Sequence, residues 1–313
     1  MNLPSGSIRI ATTEKKWRGR FAPSPTGPLH FGSLVAATAS YLQTRVRHGE
    51  WLLRIEDLDP PREVPGATEC IIDTLQAHGF QWDGPVHRQS SHLGEYHATA
   101  QRLLAEGFAY RCTCSREEIR QASAKTGPGG VIYPGTCRHL GRRAVAGTAD
   151  ALRLRTGDSI VTFQDRVQGP MYCNVAASIG DFVIRRKDGL IAYHLATVID
   201  DARQGITEVV RGCDLLDVTP AQIVLQRILD FFTPIYMHVP LVTNERGQKL
   251  SKQTGARPID GQKPGENLLA ALRFLRQNPP GELSGESVEV IWAWARANWH
   301  PEKLAARRQS SQK

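Results

Sequence analysis

The sequence predicts an α/β fold built on a doubly wound parallel sheet. The first observation is the order of its opening: "WRGRFA" is typical of a short strand, a Pro/Gly turn follows, and an apolar run with helical spacing ends at Gly49. "EWLLRIED" then indicates a second, partly buried strand. The second observation is that amphipathic helices and strands follow one another along most of the chain. This pattern is typical of a parallel sheet with helices on both faces.

The later elements are predicted by the same periodicities. Helical spacing occurs in "GATECIIDTLQAHGF", "SSHLGEYHATAQRLLAEGFAY", "TPAQIVLQRILDFF", "ENLLAALRFLRQN" and "SVEVIWAWARANW". Strands are predicted in "ALRLRT", "SIVTFQDRVQG", "DFVIRRKDG" and "IAYHLATVIDDARQGITEVVRG". The expected organisation is a leader over 1–17, a main domain in two halves over 18–110 and 148–254, an insertion over 111–147, and a short helical region over 255–313.

Composition and charge limit the class of protein. The chain has 313 residues, a formal net charge of +8 and a pI of about 9.3. Such a surface suits a polyanionic partner such as nucleic acid, although a basic proteome would have the same effect. No apolar run reaches the ~18–20 residues of a membrane span, and the N-terminus lacks the apolar segment of a secretion signal. We therefore expect a cytoplasmic protein without a membrane partner.

The turn "RFAPSPTGPLHFGSL" between the first strand and the first helix is a candidate anion site. It contains neither G-x-x-x-x-G-K-[ST] nor G-x-G-x-x-G, which excludes a P-loop and a dinucleotide fingerprint. Its position at a helix N-terminus nevertheless favours phosphate, because unpaired backbone N–H groups point outward there. Gly32 permits close approach, and His30 can donate to a phosphate oxygen. A purely structural turn capped by His30 remains the alternative at this point.

Four blocks, taken together, resemble a known family. "RFAPSPTGPLHFGS" resembles the HIGH signature of class I aminoacyl-tRNA synthetases in its glutamyl form, and "KLSKQ" (249–253) resembles the KMSKS loop. "LLRIEDLDPPR" and "GITEVVRGCDLL" lie between them and are similar to glutamyl-tRNA synthetase blocks in the same order. The resemblance covers residues 18 to 252 and implies a Rossmann-like catalytic domain. Two positions depart from the pattern: Ser33 replaces the second histidine, and Gln253 stands where a basic residue is common.

The length of the chain indicates a particular branch of that family. Only 61 residues follow Lys252, too few for the anticodon-binding region of a full glutamyl-tRNA synthetase. The chain therefore resembles the truncated glutamyl-Q tRNA(Asp) synthetases. That resemblance implies a ligase that activates glutamate with ATP without needing tRNA, and then transfers it to the queuosine base in the anticodon of tRNA(Asp). ATP, L-glutamate and this tRNA would be its partners, and a monomer is expected.

The resemblance also implies the residues of the glutamate pocket. Arg20 and Arg211 would contact the two carboxylates of glutamate, because a guanidinium matches a carboxylate in bidentate geometry. Glu56 would bind the ammonium group. The sequence leaves open which arginine faces the side-chain carboxylate. The other glutamate-binding residues implied by the pattern are Phe21, Ala22, Pro23, Ser24 and Tyr193.

ATP would be held from two sides. His30, Gly32 and Ser33 would bind it at the start of the first helix, and Lys249 and Lys252 would close on its phosphates. His30 and Lys252 are the residues expected to act in catalysis. Mg²⁺ is expected to accompany ATP, bound largely through phosphate oxygens.

The insertion carries a candidate zinc site. Cys112, Cys114 and Cys137 lie within 26 positions of Gly-rich sequence, and thiolates are natural zinc ligands. The glutamyl-Q pattern implies Tyr133 as the fourth ligand, and His139 is the alternative. With four protein ligands, one zinc per chain would be structural. Unmetallated thiols are the other interpretation.

Two alternative functions remain open. One is a truncated glutamyl-tRNA synthetase that charges a tRNA 3′ end, and the other is a catalytically inactive, synthetase-derived RNA-binding protein. In the favoured interpretation, basic residues would follow the tRNA backbone. The candidates are Arg138, Arg142, Arg143, Arg185, Arg186 and Lys187.

Overall fold

The fold is described from a computed structural model. It describes residues 16–128, 130–139, 149–243 and 258–310, with side chains up to residue 305. Most of the expected leader, the expected basic contacts Arg142 and Arg143, and the whole "KLSKQ" loop with Lys249 and Lys252 lie outside the described residues. Within them, no helix is long and apolar enough to cross a membrane.

Strands and helices alternate along the chain. The strands are β1 (Arg18–Phe21), β2 (Glu50–Ile55), β3 (His87–Arg88), β4 (Ala109–Cys112), β5 (Thr126–Gly127), β6 (Gly130–Val131), β7 (Ala151–Leu154), β8 (Ile160–Asp165), β9 (Gly169–Asn174), β10 (Val183–Arg185), β11 (Glu208–Gly212) and β12 (Ile235–Val239). The helices are α1 (Phe31–Arg45), α2 (Ala67–Ala77), α3 (Leu93–Ala105), α4 (Arg116–Ala122), α5 (Val175–Ser178), α6 (Tyr193–Arg203), α7 (Thr219–Ile228), α8 (Pro264–Phe274) and α9 (Val288–Ala297).

Parallel strands form the centre of the fold. β3, β2 and β1 are parallel neighbours in that order, and β11, β12 and β8 form a second parallel set with β9 antiparallel at its edge. The two sets meet where the Thr207 N–H donates to the Arg18 carbonyl at 2.9 Å. Val209 and Val210 of β11 enter two different apolar clusters, so both faces of the sheet are covered. The predicted α/β class with parallel strands and helices is confirmed.

Close contact between β1 and α1 fixes the turn that joins them. A Cβ atom at Gly19 would lie 2.1 Å from Thr44 Oγ1, so only glycine permits this approach. α1 begins after His30, whose Nδ1 accepts from the Ser33 N–H at 3.2 Å. The helix is deeply buried along most of its length, which holds its N-terminus firmly against the sheet.

Two predicted strands are wrong in part. Residues 191–212 were expected to be extended, but α6 occupies Tyr193–Arg203, and β11 begins only at Glu208. The consecutive β-branched residues Thr197, Val198 and Ile199 favour a strand locally, but the segment from Leu195 to Asp201 is buried as a helix by its tertiary contacts. "SIVTFQDRVQG" forms a hairpin rather than one strand, because the Asp165 carboxylate accepts from the Val167 and Gln168 amides at 3.0 and 2.8 Å and turns the chain.

The C-terminal helices pack on the first half of the chain. α8 and α9 contact α1 and enter the same apolar cluster as β1 and β2. Trp299 Nε1 donates to Gln43 Oε1 at 2.9 Å inside this core. The helices therefore share the core of the main domain instead of building their own.

Candidate active site

The first part of the site lies where β1 and β2 end. Arg20 is 3% exposed and donates from Nε to Asp201 at 3.1 Å. Among the residues described, no other side-chain nitrogen of Arg20 has a protein partner, so both Nη groups remain for a ligand. Glu56 follows β2, and its N–H donates to the Pro23 carbonyl at 3.0 Å, which joins the Pro-rich turn to the second strand. Carboxyl ends of parallel strands are the usual ligand site of such sheets.

A fully buried arginine supports these two residues, and sequence reasoning missed it. Arg54 Nη1 donates to Asp201 at 2.7 Å and to Gln204 Oε1 at 2.7 Å, while Nη2 donates to Glu56 at 3.3 Å. Thr197 Oγ1 also donates to Glu56 at 3.3 Å. A charged residue in the middle of the apolar run "WLLRI" was the available signal, since a buried charge needs a partner.

These contacts set the charges of the acids. Burial alone would raise the pKa of Asp201, but Arg20 and Arg54 together bring it below its ordinary value. Burial raises the pKa of Glu56, and attraction by Arg54 and Arg20 offsets only part of that effect. The cluster thus combines two guanidinium groups with carboxylates in a site that excludes most water.

The second part of the site lies at β11. Arg211 is 6% exposed and donates from Nη1 to the Tyr193 hydroxyl at 3.4 Å. Its Nη2 donates to Thr219 Oγ1 at 2.9 Å and to Gln222 Oε1 at 2.8 Å, and its Nε donates to His238 at 3.1 Å. Four of its five N–H groups therefore have described partners. The expected bidentate contact is not available to Arg211 as it stands; one Nη1 N–H and the Tyr193 hydroxyl are what it can offer.

The turn that carries His30 contacts Pro258 and Ile259, which follow the "KLSKQ" segment in the sequence. Because Nδ1 of His30 accepts from Ser33, the proton of a neutral ring lies on Nε2, the tautomer that can donate to a phosphate. Pro258 forms a bridge with His30, and the Ile259 N–H donates to the Leu29 carbonyl at 3.0 Å. Gly32 and Ser33 lie in the first turn of α1 beside it. Pro258 and Ile259 therefore lie directly beside His30 and Leu29.

The other glutamate-binding residues predicted in the turn differ in their exposure. The Phe21 side chain lies in the apolar core, stacked on Trp51 with ring centroids 6.3 Å apart, so only its backbone can meet a ligand. Ala22 and Pro23 are half-buried and Ser24 is exposed in the turn.

The three predicted thiols of the insertion lie together. The sulfurs of Cys112, Cys114 and Cys137 are all within 4.8 Å of one another. Sulfurs bound to one tetrahedral zinc at about 2.3 Å would be roughly 3.8 Å apart, so a metal of this size fits. The Tyr133 hydroxyl oxygen lies 3.4 Å from Cys112 Sγ and 3.6 Å from Cys114 Sγ, whereas His139 is not part of the group.

The surroundings shift the pKa values of two of these thiols in opposite directions. Burial would raise the pKa of Cys137, but hydrogen bonds from Tyr133, the Thr113 backbone and the neighbouring thiols lower it to about 7. Burial raises the pKa of Cys114 to about 11. A divalent cation would favour the thiolate form of all three.

Comparison with known proteins identifies the family. The family described as class I tRNA synthetases (E and Q), catalytic domain, matches residues 16–275. The glutamyl-Q tRNA(Asp) synthetase of Pseudomonas fluorescens is 50% identical over 92% of this chain and 94% of its own length. That of Geobacter sulfurreducens is 51% identical over 91% of this chain and 93% of its own length. The chain belongs to the glutamyl-Q tRNA(Asp) synthetase family.

Solved structures extend the likeness of this glutamyl-Q family member. A glutamate tRNA ligase from Elizabethkingia meningosepticum, in complex with its amino acid, is 31% identical with a TM-score of 0.67 over 77% of this chain. The chain spans about half the length of that ligase, 53%. The glutamate-tRNA synthetase of Elizabethkingia anophelis has a TM-score of 0.75 and 26% identity over 93% of this chain and 67% of its own.

The described basic residues expected to contact tRNA in a glutamyl-Q synthetase have protein partners. Arg185 donates to Asp150 at 2.5 Å, and Arg186 Nη2 donates to Asp188 at 2.6 Å. Lys187 donates to the Thr113 carbonyl at 2.6 Å, and Arg138 lies 3.4 Å from Asp181. Each therefore has a structural contact within the protein in addition to its charge.

A half-buried histidine beside Tyr193, with one ring nitrogen fully buried, predicts a stability that falls at acid pH. Nδ1 of His194 is buried without a described partner, and burial with the nearby Arg211 lowers its pKa to about 4. The unfolded chain takes up this proton near pH 6.5, and the folded chain only near pH 4. The free energy of unfolding should therefore fall by up to ~1.4 kcal/mol per pH unit from this group as pH drops from 6.5 to 4.

Urea unfolding at each pH unit from 7 to 4 measures this slope. The His194→Gln variant should have a shallower slope than the unsubstituted protein, whereas His97→Gln, at a half-buried position outside the site, should not. Equal slopes for all three proteins would contradict the assignment.

Proposed function

We propose that the protein activates glutamate with ATP, without tRNA, and transfers the glutamyl group to the queuosine base of tRNA(Asp). The observation that carries this proposal is that Arg20, Glu56 and Arg211 all lie close enough to Tyr193 for their charges to act on its hydroxyl. An amino acid with two carboxylates and one ammonium group needs such a set of two cations and one anion. The names of the relatives support the tRNA acceptor, and a Rossmann-like arrangement of the sheet suits the nucleotide.

Activation would consist mainly of positioning. One oxygen of the glutamate α-carboxylate attacks the α-phosphorus of ATP, and the bond from that phosphorus to the pyrophosphate oxygen breaks. Arg20 and Arg211 would orient the carboxylates, and Glu56 would hold the ammonium group. His30 Nε2 and the N-terminus of α1 would bind the phosphates, with Mg²⁺ carried on the phosphate oxygens. Holding both reactants in line accounts for most of the acceleration expected.

Transfer follows on the same surface. A cyclopentene hydroxyl of queuosine attacks the acyl carbon, the bond to the AMP oxygen breaks, and the departing AMP takes the electron pair. The phosphate of the adenylate can accept the hydroxyl proton.

One assay separates the proposed function from its alternatives. The protein is incubated with labelled glutamate, ATP, and tRNA(Asp) with or without queuosine, beside tRNA(Glu). Label should appear only on queuosine-containing tRNA(Asp). Label on tRNA(Glu) would support a 3′-end synthetase instead, and the absence of glutamate-dependent adenylate would support an inactive RNA-binding protein.

The "KLSKQ" loop gives a further expectation. Lys252→Ala should lower kcat for adenylate formation by about 10²–10³-fold, because a charged donor to the developing pyrophosphate is lost. Glutamate affinity should change little. Pyrophosphate exchange and equilibrium glutamate binding measure the two quantities, with Lys303→Ala, in the C-terminal segment, as the control. Equal losses in kcat and in glutamate affinity would contradict a role of Lys252 confined to the transition state.

We also propose that Cys112, Cys114, Tyr133 and Cys137 hold one structural zinc. Wild-type protein should contain about one zinc per chain by atomic absorption, and Cys112→Ser should contain little. Tyr133→Phe should bind zinc more weakly, whereas His139→Gln and the distant, exposed Cys70→Ser should keep it. Zinc loss in His139→Gln but not in Tyr133→Phe would reverse the choice of fourth ligand.

A further inference from the structure

Three buried polar residues, Asp165, His238 and Arg211, form a chain of hydrogen bonds next to the proposed glutamate-binding residues. Asp165 ends β8, His238 lies in β12, and Arg211 lies opposite His238 in β11. The side chains of Asp165 and His238 are fully buried, and Arg211 is 6% exposed. Asp165 Oδ2 accepts from His238 Nδ1 at 2.6 Å, and His238 Nε2 accepts from Arg211 Nε at 3.1 Å.

This chain of hydrogen bonds determines which ring nitrogen of His238 carries the proton. The Asp165 carboxylate also accepts from the backbone N–H groups of Val167, Gln168 and His238. Burial would raise its pKa, but the His238 ring first, and then the Gln168 and Val167 amides, bring it below the ordinary value. Burial lowers the pKa of His238, and Arg211 lowers it further. A charged Asp165 therefore faces Nδ1–H of a neutral ring. The lone pair of Nε2 faces the guanidinium.

Other contacts make the orientation of Arg211 unique. Thr219 Oγ1 donates to the Leu215 carbonyl at 2.7 Å and accepts from Arg211 Nη2 at 2.9 Å, and it also lies 3.1 Å from His238 Nε2. Gln222 accepts the second Nη2 proton. With Nε held by His238, only the Nη1 edge beside Tyr193 can turn toward the pocket.

We propose that His238, held in one tautomer by Asp165, is a positioning residue that aims the Nη1 edge of Arg211 and the Tyr193 hydroxyl at a substrate carboxylate. This inference rests on the proposed binding of glutamate by Arg211. With the proton on Nε2, two donors would face each other at Arg211 Nε, and the guanidinium would be displaced. A ring without an acceptor would leave that N–H buried and unpaired.

Two variants test the role of His238 Nε2 as the hydrogen-bond acceptor of Arg211 Nε. His238→Gln carries an oxygen near the place of Nε2, whereas His238→Phe keeps the ring volume without an acceptor; both lose the contact with Asp165. In glutamate-dependent pyrophosphate exchange, His238→Phe should raise KM for glutamate about 10–100-fold, because a hydrogen bond to a charged group is lost. KM for ATP should not change. His238→Gln should recover most of the affinity, and equal KM values for glutamate in the two variants would overturn the proposal.

A spectroscopic measurement covers the case in which His238→Phe does not fold. ¹⁵N spectra of histidine-labelled wild-type protein at pH 7 should show His238 protonated at Nδ1 and unprotonated at Nε2. Asp165→Asn should shift the ring toward the other tautomer and raise KM for glutamate. A proton on Nε2 in the wild-type protein would overturn the proposal. Failure of the wild-type protein to catalyse any exchange would instead count against the proposed function.

Discussion

Replacing Arg54 with methionine should lower the free energy of unfolding by about 3–5 kcal/mol. Arg54 is fully buried, and its guanidinium lies within 4 Å of three carboxylates, those of Glu56, Asp200 and Asp201. Methionine fills similar volume but leaves these acids with less compensating charge in a site that excludes water. Breaking one side of a buried ion pair is costly for this reason, even where the intact pair adds little.

Urea unfolding at pH 7 measures the change. Arg88→Met is the matched control, because Arg88 is 44% exposed and lies 3.5 Å from the exposed Glu69. An exposed pair of this kind contributes about 0–1 kcal/mol. A loss below 1 kcal/mol in Arg54→Met would show that Arg20 and solvent compensate the acids without Arg54.

Glu56→Gln should lower kcat/KM for glutamate by about 10²–10³-fold. The substitution keeps the size of the side chain but removes the negative charge that would face the substrate ammonium, in a position only 8% exposed. The ammonium would then be buried beside Arg20 without a counter-ion, which costs about 3 kcal/mol or more.

Pyrophosphate exchange over a range of glutamate and ATP concentrations tests this expectation. KM for ATP should stay near its wild-type value, because Glu56 lies at the amino-acid end of the pocket. Glu69→Gln, on the exposed face of α2, is the control. A loss shared equally between the two substrates would contradict the assignment of Glu56 to the ammonium group.

Sequence reasoning named candidate site residues that lie in ordered blocks. Arg20 and His30 stand at the two ends of one strand–turn–helix segment, and Glu56 directly follows the next strand, so local order places them at one edge of the sheet. The supporting residues Arg54, Asp201 and His238 were missed. Arg54 and Asp201 are 147 positions apart in sequence, and no local pattern records such a pairing.

The errors in secondary structure have a similar cause. The residues of α6 were expected to form a strand, and the β-branched Thr197, Val198 and Ile199 favour one locally; tertiary packing instead buries most of this segment as a helix. The break between β8 and β9 depends on one side chain, Asp165, whose hydrogen bonds turn the chain. Asp165 then serves a second purpose behind His238, which only the pairing of β8 with β12 brings about.

By itself, the sequence determined the α/β class, the position of the Pro/Gly turn before the first helix, the cysteine cluster and the family, since each depends on spacing over a short segment. The tertiary structure alone decided which groups are left for a ligand. Among the described residues, both Nη groups of Arg20 but only one N–H of Arg211 have no protein partner, because the other buried donors are paired with groups from distant elements. It also placed Tyr133 rather than His139 beside the thiols. The reason is the same in both cases: the partners of each polar group come from distant parts of the sequence, so only the folded arrangement determines them.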